Sequence, residues 1–140
     1  MTVLIKHVTV SGISMVPVLH DGDTVSVCRK DGYEVGDILV FVYKSGELLV
    51  HRLLKVENDR YFCKGDNSFR LEDVDADHII GAVILENDAH RNDSFISASL
   101  RINGIFRRCG YDIAKTRETA EYQAYSMKYL QDLAQPDRGR

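Results

Sequence analysis

The sequence predicts a mainly β domain, an antiparallel and partly closed β-barrel-like sheet, followed by a helical C-terminal segment. Two observations predict it. Between residues 3 and 85, short apolar runs rich in β-branched residues are separated by tight-turn residues, the mark of many short strands. Beyond Asn87 the apolar residues recur at helical spacing instead. The chain has 140 residues, 44% of them hydrophobic and 28% charged, which fits one domain able to bury about two thirds of its unfolded surface.

Residues 3–10 form an apolar, β-branched run that delivers the chain to Gly12. Residues 24–28 alternate Val25 and Val27 with smaller polar residues, as a half-buried strand does. Residues 38–43 are almost wholly apolar and predict a central strand, returned through the turn Lys44-Ser45-Gly46-Glu47 by residues 48–56. Asn58-Asp59 turns the chain into a strand over 60–64, and residues 79–85 form the last strand. In the helical part, Phe95, Ala98, Ile102, Ile105 and Phe106 share a face, with Gly110 as the stop and Asn103-Gly104 as a competing turn signal. A single helix is predicted over 114–134, with Tyr122, Tyr125, Tyr129 and Leu133 on one face and Pro136 as terminator. The expected organisation is a catalytic β-domain over 1–86, a helical extension of it over 87–134 and a flexible tail over 135–140.

Composition narrows the function classes. The net charge of -3, from 18 basic and 21 acidic residues, provides no general attraction to nucleic acid. Three widely spaced cysteines, Cys28, Cys63 and Cys109, include no CxxC pair, so reduced thiols in the cytoplasm are the economical reading. Neither a metal nor a cofactor is expected: His51, Asp66 and Asp73 have no close ligand spacing. No apolar run approaches the roughly 20 residues that cross a bilayer, and the first residues lack a signal peptide's pattern. The chain is therefore expected in the cytoplasm, with peripheral membrane contact as the variant reading.

The chemistry-bearing candidates begin at Ser14. A turn serine is ordinarily a backbone cap, but Gly12, Met15 and Pro17 surround this one with a turn-former, an apolar anchor and a fixed φ. A hydroxyl held in a rigid turn suits a nucleophile, because small misplacements of a reacting group are expensive in rate. Such a hydroxyl needs a base, and His51, in an alternating strand, is the best placed of five histidines. A carboxylate best holds the imidazole tautomer. Asp66, in the turn Gly65-Asp66-Asn67, is the first candidate, with Glu72 and Asp73 as second candidates.

Five segments in order then resemble the signal peptidase I superfamily, which includes the self-cleaving LexA-like proteins: GISMVPVLHDGDTVSV, VGDILVFV, LLVHRLLKV, YFCKGDNSFRLED and IIGAVIL, together spanning residues 10–85. The pair His51-Arg52 resembles the branch of that superfamily that uses histidine, not lysine, as base. The resemblance implies a signal-peptidase/LexA fold, Ser14 as nucleophile, His51 as general base and Asp66 as a catalytic or orienting acid. A second acid falls at Glu72 or Asp73. Gly12 stands where some relatives carry an oxyanion-binding hydroxyl, so backbone N–H groups would serve that role. The chain departs from signal peptidases in showing no membrane anchor and from LexA in showing no helix-turn-helix segment or evident self-cleavage site.

The expected function is thus a serine endopeptidase that cleaves an extended leader or signal-like peptide. Small residues before the cut are implied by the resemblance. The alternatives are a non-catalytic peptide-binding module that keeps the fold, and a LexA-like regulatory peptidase. The expected partners are a peptide or protein substrate, and a membrane protein or a second copy docking on the C-terminal helix.

Overall fold

The computed structural model describes residues 3–129. Seven strands make one antiparallel sheet: β1 (Val3–Thr9), β2 (Thr24–Arg29), β3 (Ile38–Val42), β4 (Leu48–Glu57), β5 (Arg60–Lys64), β6 (Glu72–Asp75) and β7 (Ile79–Ile84). Their order across the sheet is β1-β2-β7-β3-β4-β5-β6. The last strand in sequence is inserted between β2 and β3, joining the two halves. The sheet ends at β1 and β6 without closing on itself, which makes it a half-barrel.

One strand was not foreseen. β6 reads Glu-Asp-Val-Asp, with a single apolar residue to announce it. It nevertheless alternates buried Glu72 and Val74 with exposed Asp73 and Asp75, and its register sets Glu72 opposite Cys63. The hairpin between β4 and β5 turns through Asn58 and Asp59, both with positive φ (52° and 61°), a conformation that Asn and Asp tolerate better than most residues.

Three helices follow: α1 (Asp93–Arg108), α2 (Ile113–Arg117) and α3 (Ala120–Tyr129). The Asn92 side chain caps α1 by accepting the Phe95 N–H at 2.8 Å. At the other end Gly110 (φ 69°) donates to Arg107 O and Tyr111 donates to Phe106 O, at 3.0 and 2.9 Å. That pair of bonds is a Schellman stop, completed by the Tyr111 ring against Phe106. Asn103-Gly104 stays helical because the buried Asn103 side chain donates to Phe69 O at 2.8 Å.

The single helix expected over 114–134 is corrected: it breaks at Glu118 and Thr119 into α2 and α3. A second cap explains the break. Asp112 accepts the Lys115 N–H at 3.0 Å to start α2, and Thr119 Oγ1 accepts the Tyr122 N–H at 3.2 Å to start α3. Tyr122 and Tyr125 turn into an aromatic core with Phe69, Phe95 and Phe106. Leu133, Pro136 and the tail over 135–140 lie outside the described residues. Among the described residues, no helix is long and apolar enough to cross a membrane.

The two faces of the sheet bury different clusters, because successive side chains alternate across it. Ile38 and Val40 join Val8, Val10, Val25 and Val27 beneath the loop between β1 and β2. Met15 (1% exposed) and Leu19 (2% exposed) from that loop plug the same cluster. Each such burial contributes about 1.5–3 kcal/mol, which ties the Ser14 turn to the sheet. Leu39, Phe41, Leu53 and Cys63 pack on the opposite face with Val74.

Candidate active site

The Ser14 turn is closed at both ends before it presents anything. Val10 N–H donates to Asp23 O and Gly22 N–H to Val10 O, each at 2.8 Å. Gly12 has φ 86°, a left-handed conformation that favours glycine, and its N–H donates to Asp21 Oδ1 at 2.7 Å. Met15 O accepts from both Val18 and Leu19. Ser14 is left half-buried at the rim with Oγ toward the sheet.

His51 meets it from β4. Its Nε2 lies 3.1 Å from Ser14 Oγ, and its Nδ1 lies 2.8 Å from Glu72 Oε1. Register explains why Glu72 can reach. Leu53 pairs with Cys63 and Cys63 with Glu72, so all three share one face, and His51 lies two residues before Leu53 on that same face. Phe41 sets its ring edge-to-face against the imidazole at 6.3 Å, closing one side. A carboxylate accepts, so Glu72 makes Nδ1 the donor and leaves the Nε2 lone pair facing the Ser14 hydroxyl. The second Glu72 oxygen lies 3.5 Å from Arg70 Nε.

Asp66 does not touch the imidazole, contrary to the expectation that it would approach its other side. The neighbouring residue Arg52 points to the far face of β4, and Asp66 goes with it. The carboxylate accepts from Arg52 Nε at 2.9 Å and Nη2 at 2.8 Å, and lies 3.3 Å from His90 Nδ1. Arg52, itself fully buried, also donates to Asp88 at 2.7 and 3.0 Å and to Gly36 O at 2.9 Å. Burial raises the Asp66 pKa, but hydrogen bonds from His90 and Arg52 outweigh it and hold the carboxyl below the usual range. Asp73, the remaining candidate, is half exposed and pairs with Arg60.

The turn that carries Asp66 does act on Ser14, through its backbone. Asn67 N–H donates to Ser14 O at 2.8 Å, and the Asn67 side chain donates to Ile13 O at 3.1 Å. Gly65 passes so close that a Cβ there would lie 2.7 Å from Ser14 O and 3.0 Å from Ser14 Cβ. One dipeptide on β4 thus serves two purposes: His51 faces the hydroxyl, and Arg52 anchors the turn that holds the hydroxyl in place. Beside it Lys64 is buried, donating to Ser99 Oγ on α1 at 2.8 Å and to Gly65 O at 3.2 Å. Burial brings its pKa down to about 8, against opposing pulls from Asp66 and Glu72.

The backbone set expected around Ser14 for an oxyanion is narrower in the folded chain. Gly12 N–H is committed to Asp21. The Ser14 N–H has no acceptor among the described residues, so it is the donor left to meet one. Ser14 and His51 open into a cleft of about 410 Å³ whose apolar walls include Ile13, Phe69, Phe106 and Ile113. Phe106 and Ile113 belong to α1 and α2, so the helical segment builds part of the cleft. Among the described residues no group of three His, Cys, Asp or Glu side chains is arranged to hold a metal ion.

Several residues here had weak signals in the sequence. An arginine centred in the apolar strand LLVHRLLKV signals a buried charge in need of partners, but nothing local names Asp66 and Asp88. His90, in a polar stretch of the sequence, is buried and stacked on Phe95 at 3.9 Å. Asn67, Gly65 and Arg70 act through contacts made only by the folded chain.

A family model described as Peptidase S24-like matches residues 5–84, more than half of the chain, from within β1 to the end of β7, a span that includes Ser14, His51 and Glu72. No curated protein and no solved structure matches the chain.

Proposed function

The chain belongs to the Peptidase S24-like family, and from that premise we propose that it is a serine endopeptidase of signal-peptidase type with histidine as its base. The observation that carries the reading is the unbroken line Ser14 Oγ to His51 Nε2 to Glu72, with contacts of 3.1 and 2.8 Å. Three residues from the β1–β2 loop, β4 and β6 meet there in the order that nucleophilic catalysis requires.

In the proposed reaction, Ser14 Oγ attacks the carbonyl carbon of the scissile peptide while His51 Nε2 takes the hydroxyl proton. Glu72 stabilises the imidazolium that forms and keeps the ring oriented. The Ser14 N–H meets the developing oxyanion, a term worth about 3 kcal/mol per donor in comparable sites. Collapse of the tetrahedral intermediate expels the amine, which takes the proton back from His51, and leaves an acyl group on Ser14. Water, activated by the same imidazole, then hydrolyses the ester and restores the serine. Glu72 in this scheme takes the orienting role first expected of Asp66, and Asp66 becomes a positioning residue.

The substrate is proposed to bind extended beside β6, which has no strand neighbour on its outer side among the described residues. The test is cleavage of leader-like peptides by the full chain and by Ser14→Ala. Complete loss in the variant, with unchanged circular dichroism, supports the scheme. Equal cleavage by both proteins removes the nucleophile and the scheme with it.

A further inference from the structure

The cleft beside Ser14 has walls that the proposed reaction does not use, and their polar groups are already committed. Glu72, 1% exposed, is engaged by His51 and Arg70. Ser68 Oγ donates to Gly65 O at 3.3 Å, and the Asn67 amide donates to Ile13 O at 3.1 Å. Arg117 is held within the chain, its guanidinium over the Phe69 ring at 5.8 Å and its Nε buried. Arg70 reaches from Glu72 to the Tyr43 ring, 5.4 Å away. Beyond Ser14 and His51, the cleft therefore offers a substrate mainly apolar surface.

That surface is firmly built. Phe69 and Phe106, 7% and 8% exposed, form the inner wall, with their ring centroids 5.5 Å apart. Tyr122 meets Phe69 edge-on at 5.1 Å, and the Phe69 carbonyl accepts from Asn103 on α1 at 2.8 Å. Ile13, beside the nucleophile, lines the cleft next to the reacting bond. Ile113 opens α2 and stays 46% exposed. A single exposed Ile is ordinary on a protein surface; this one lines the same cleft as Ser14. Phe106 and Ile113 lie beyond the residues that the family model matches, so this wall is the helical segment's own contribution.

We propose that the cleft is a subsite for a bulky apolar side chain, such as Leu, Met or Phe, beside the bond presented to Ser14, with Ile113 as its specificity-setting wall. The resemblance to signal peptidases implied small residues there. Size argues otherwise: a methyl group, about as large as one water at roughly 30 Å³, leaves most of a cleft of about 410 Å³ unfilled. Each buried methylene favours binding by about fourfold, so the three carbons that Leu adds to Ala give about tenfold when half enclosed. The position of the subsite rests on the peptidase reading, but its preference is measurable without turnover.

The experiment uses the full chain as Ser14→Ala, with fluorescent decapeptides of one Gly- and Ser-rich sequence that differ only in an Ala, Leu or Phe placed at successive positions. Anisotropy reads the Kd, and the same peptides are offered to the wild-type protein for cleavage. The expected result is about tenfold tighter binding of the Leu or Phe peptide than of its Ala counterpart at one or two adjacent positions. In the Ser14→Ala background, Ile113→Ala should reduce that preference to about threefold and Ile113→Asp should abolish it. Val56→Ala, at an apolar residue of β4 that is 43% exposed and does not line the cleft, should leave it unchanged. Circular dichroism establishes that each variant is folded. Equal binding of the Ala, Leu and Phe peptides at every position, or binding of none, overturns the proposal while leaving Ser14-dependent cleavage intact. A preference unchanged in folded Ile113→Asp also overturns it. A Leu or Phe preference in a protein that cleaves no peptide would uphold the subsite and sink the peptidase reading.

Discussion

Replacing Asp66 by Asn separates a positioning carboxylate from a catalytic one. The Asp66 side chain is fully buried and receives two hydrogen bonds from Arg52, whose guanidinium is equally buried. Removing one partner of a buried ion pair typically costs about 3–5 kcal/mol, because the other charge stays desolvated. Asp88 still pairs with Arg52, so the lower end, about 3 kcal/mol, is the figure to expect. Unfolding entropy near 2.1 cal/mol/K per residue gives about 0.3 kcal/mol/K for a chain this long, so Tm should fall by about 10 °C. The pH dependence has a definite sign. Because the folded pKa of Asp66 is lowered, its contribution is present above the unfolded value of about 4 and lost as pH falls through the folded one. Below that value the wild-type and Asp66→Asn melting curves should converge. The assay is thermal circular dichroism from pH 3 to 8, paired with peptide cleavage well below either Tm. Asp66→Asn should keep much of its cleavage when folded. Glu72→Gln should melt close to wild type yet lose about 10³- to 10⁴-fold in kcat, as when the orienting acid of a triad is neutralised. The reverse pattern, an inactive Asp66→Asn of unchanged Tm beside an active Glu72→Gln, would refute the assignment of roles.

Two further outcomes follow from neighbours of the same turn. Gly65→Ala places a Cβ 2.7 Å from Ser14 O, so the backbone behind the hydroxyl must shift; kcat/KM should drop by about 10²-fold with a stability loss of about 1–3 kcal/mol, and wild-type kinetics in a folded variant would show the contact to be slack. Lys64 has a folded pKa near 8 against 10.5 for the free side chain, so the unfolded chain binds the extra proton between those values. Stability should therefore rise with pH across that window by up to about 3 kcal/mol. Because burial raises the Cys63 pKa and so costs stability above about pH 9, the Lys64 term is read as the difference in urea midpoint, wild type minus Lys64→Met, which should increase with pH across the window; parallel slopes would contradict the burial argument.

Most of the sheet was legible because its strands announce themselves. Residues 24–28 alternate, 38–43 are continuously apolar, and Asn58-Asp59 and Lys44–Glu47 supply turn chemistry. β6 was not legible, since Glu-Asp-Val-Asp acquires its strand character only by pairing with β5. That omission carried over to the site. Without β6 there was no register to carry Glu72 toward His51, and Asp66 was favoured for its place in a tight turn. Strand alternation decides otherwise: His51 and Arg52 are adjacent in sequence but face opposite ways, and Asp66 lies on the Arg52 side. The helix over 114–134 was misread for a related reason. Its apolar spacing is continuous through the break, and only Thr119, acting as a cap, interrupts it.

The central claim, that Ser14 is a nucleophile activated by His51, is tested most directly by intact-mass and peptide-mapping mass spectrometry after exposure to a serine-reactive fluorophosphonate. The account predicts one adduct per chain, located on Ser14, that forms slowly or not at all in His51→Ala and is retained at wild-type extent in a folded Asp66→Asn. An unmodified Ser14 in the folded wild-type protein, or equal labelling with and without the imidazole, would contradict it.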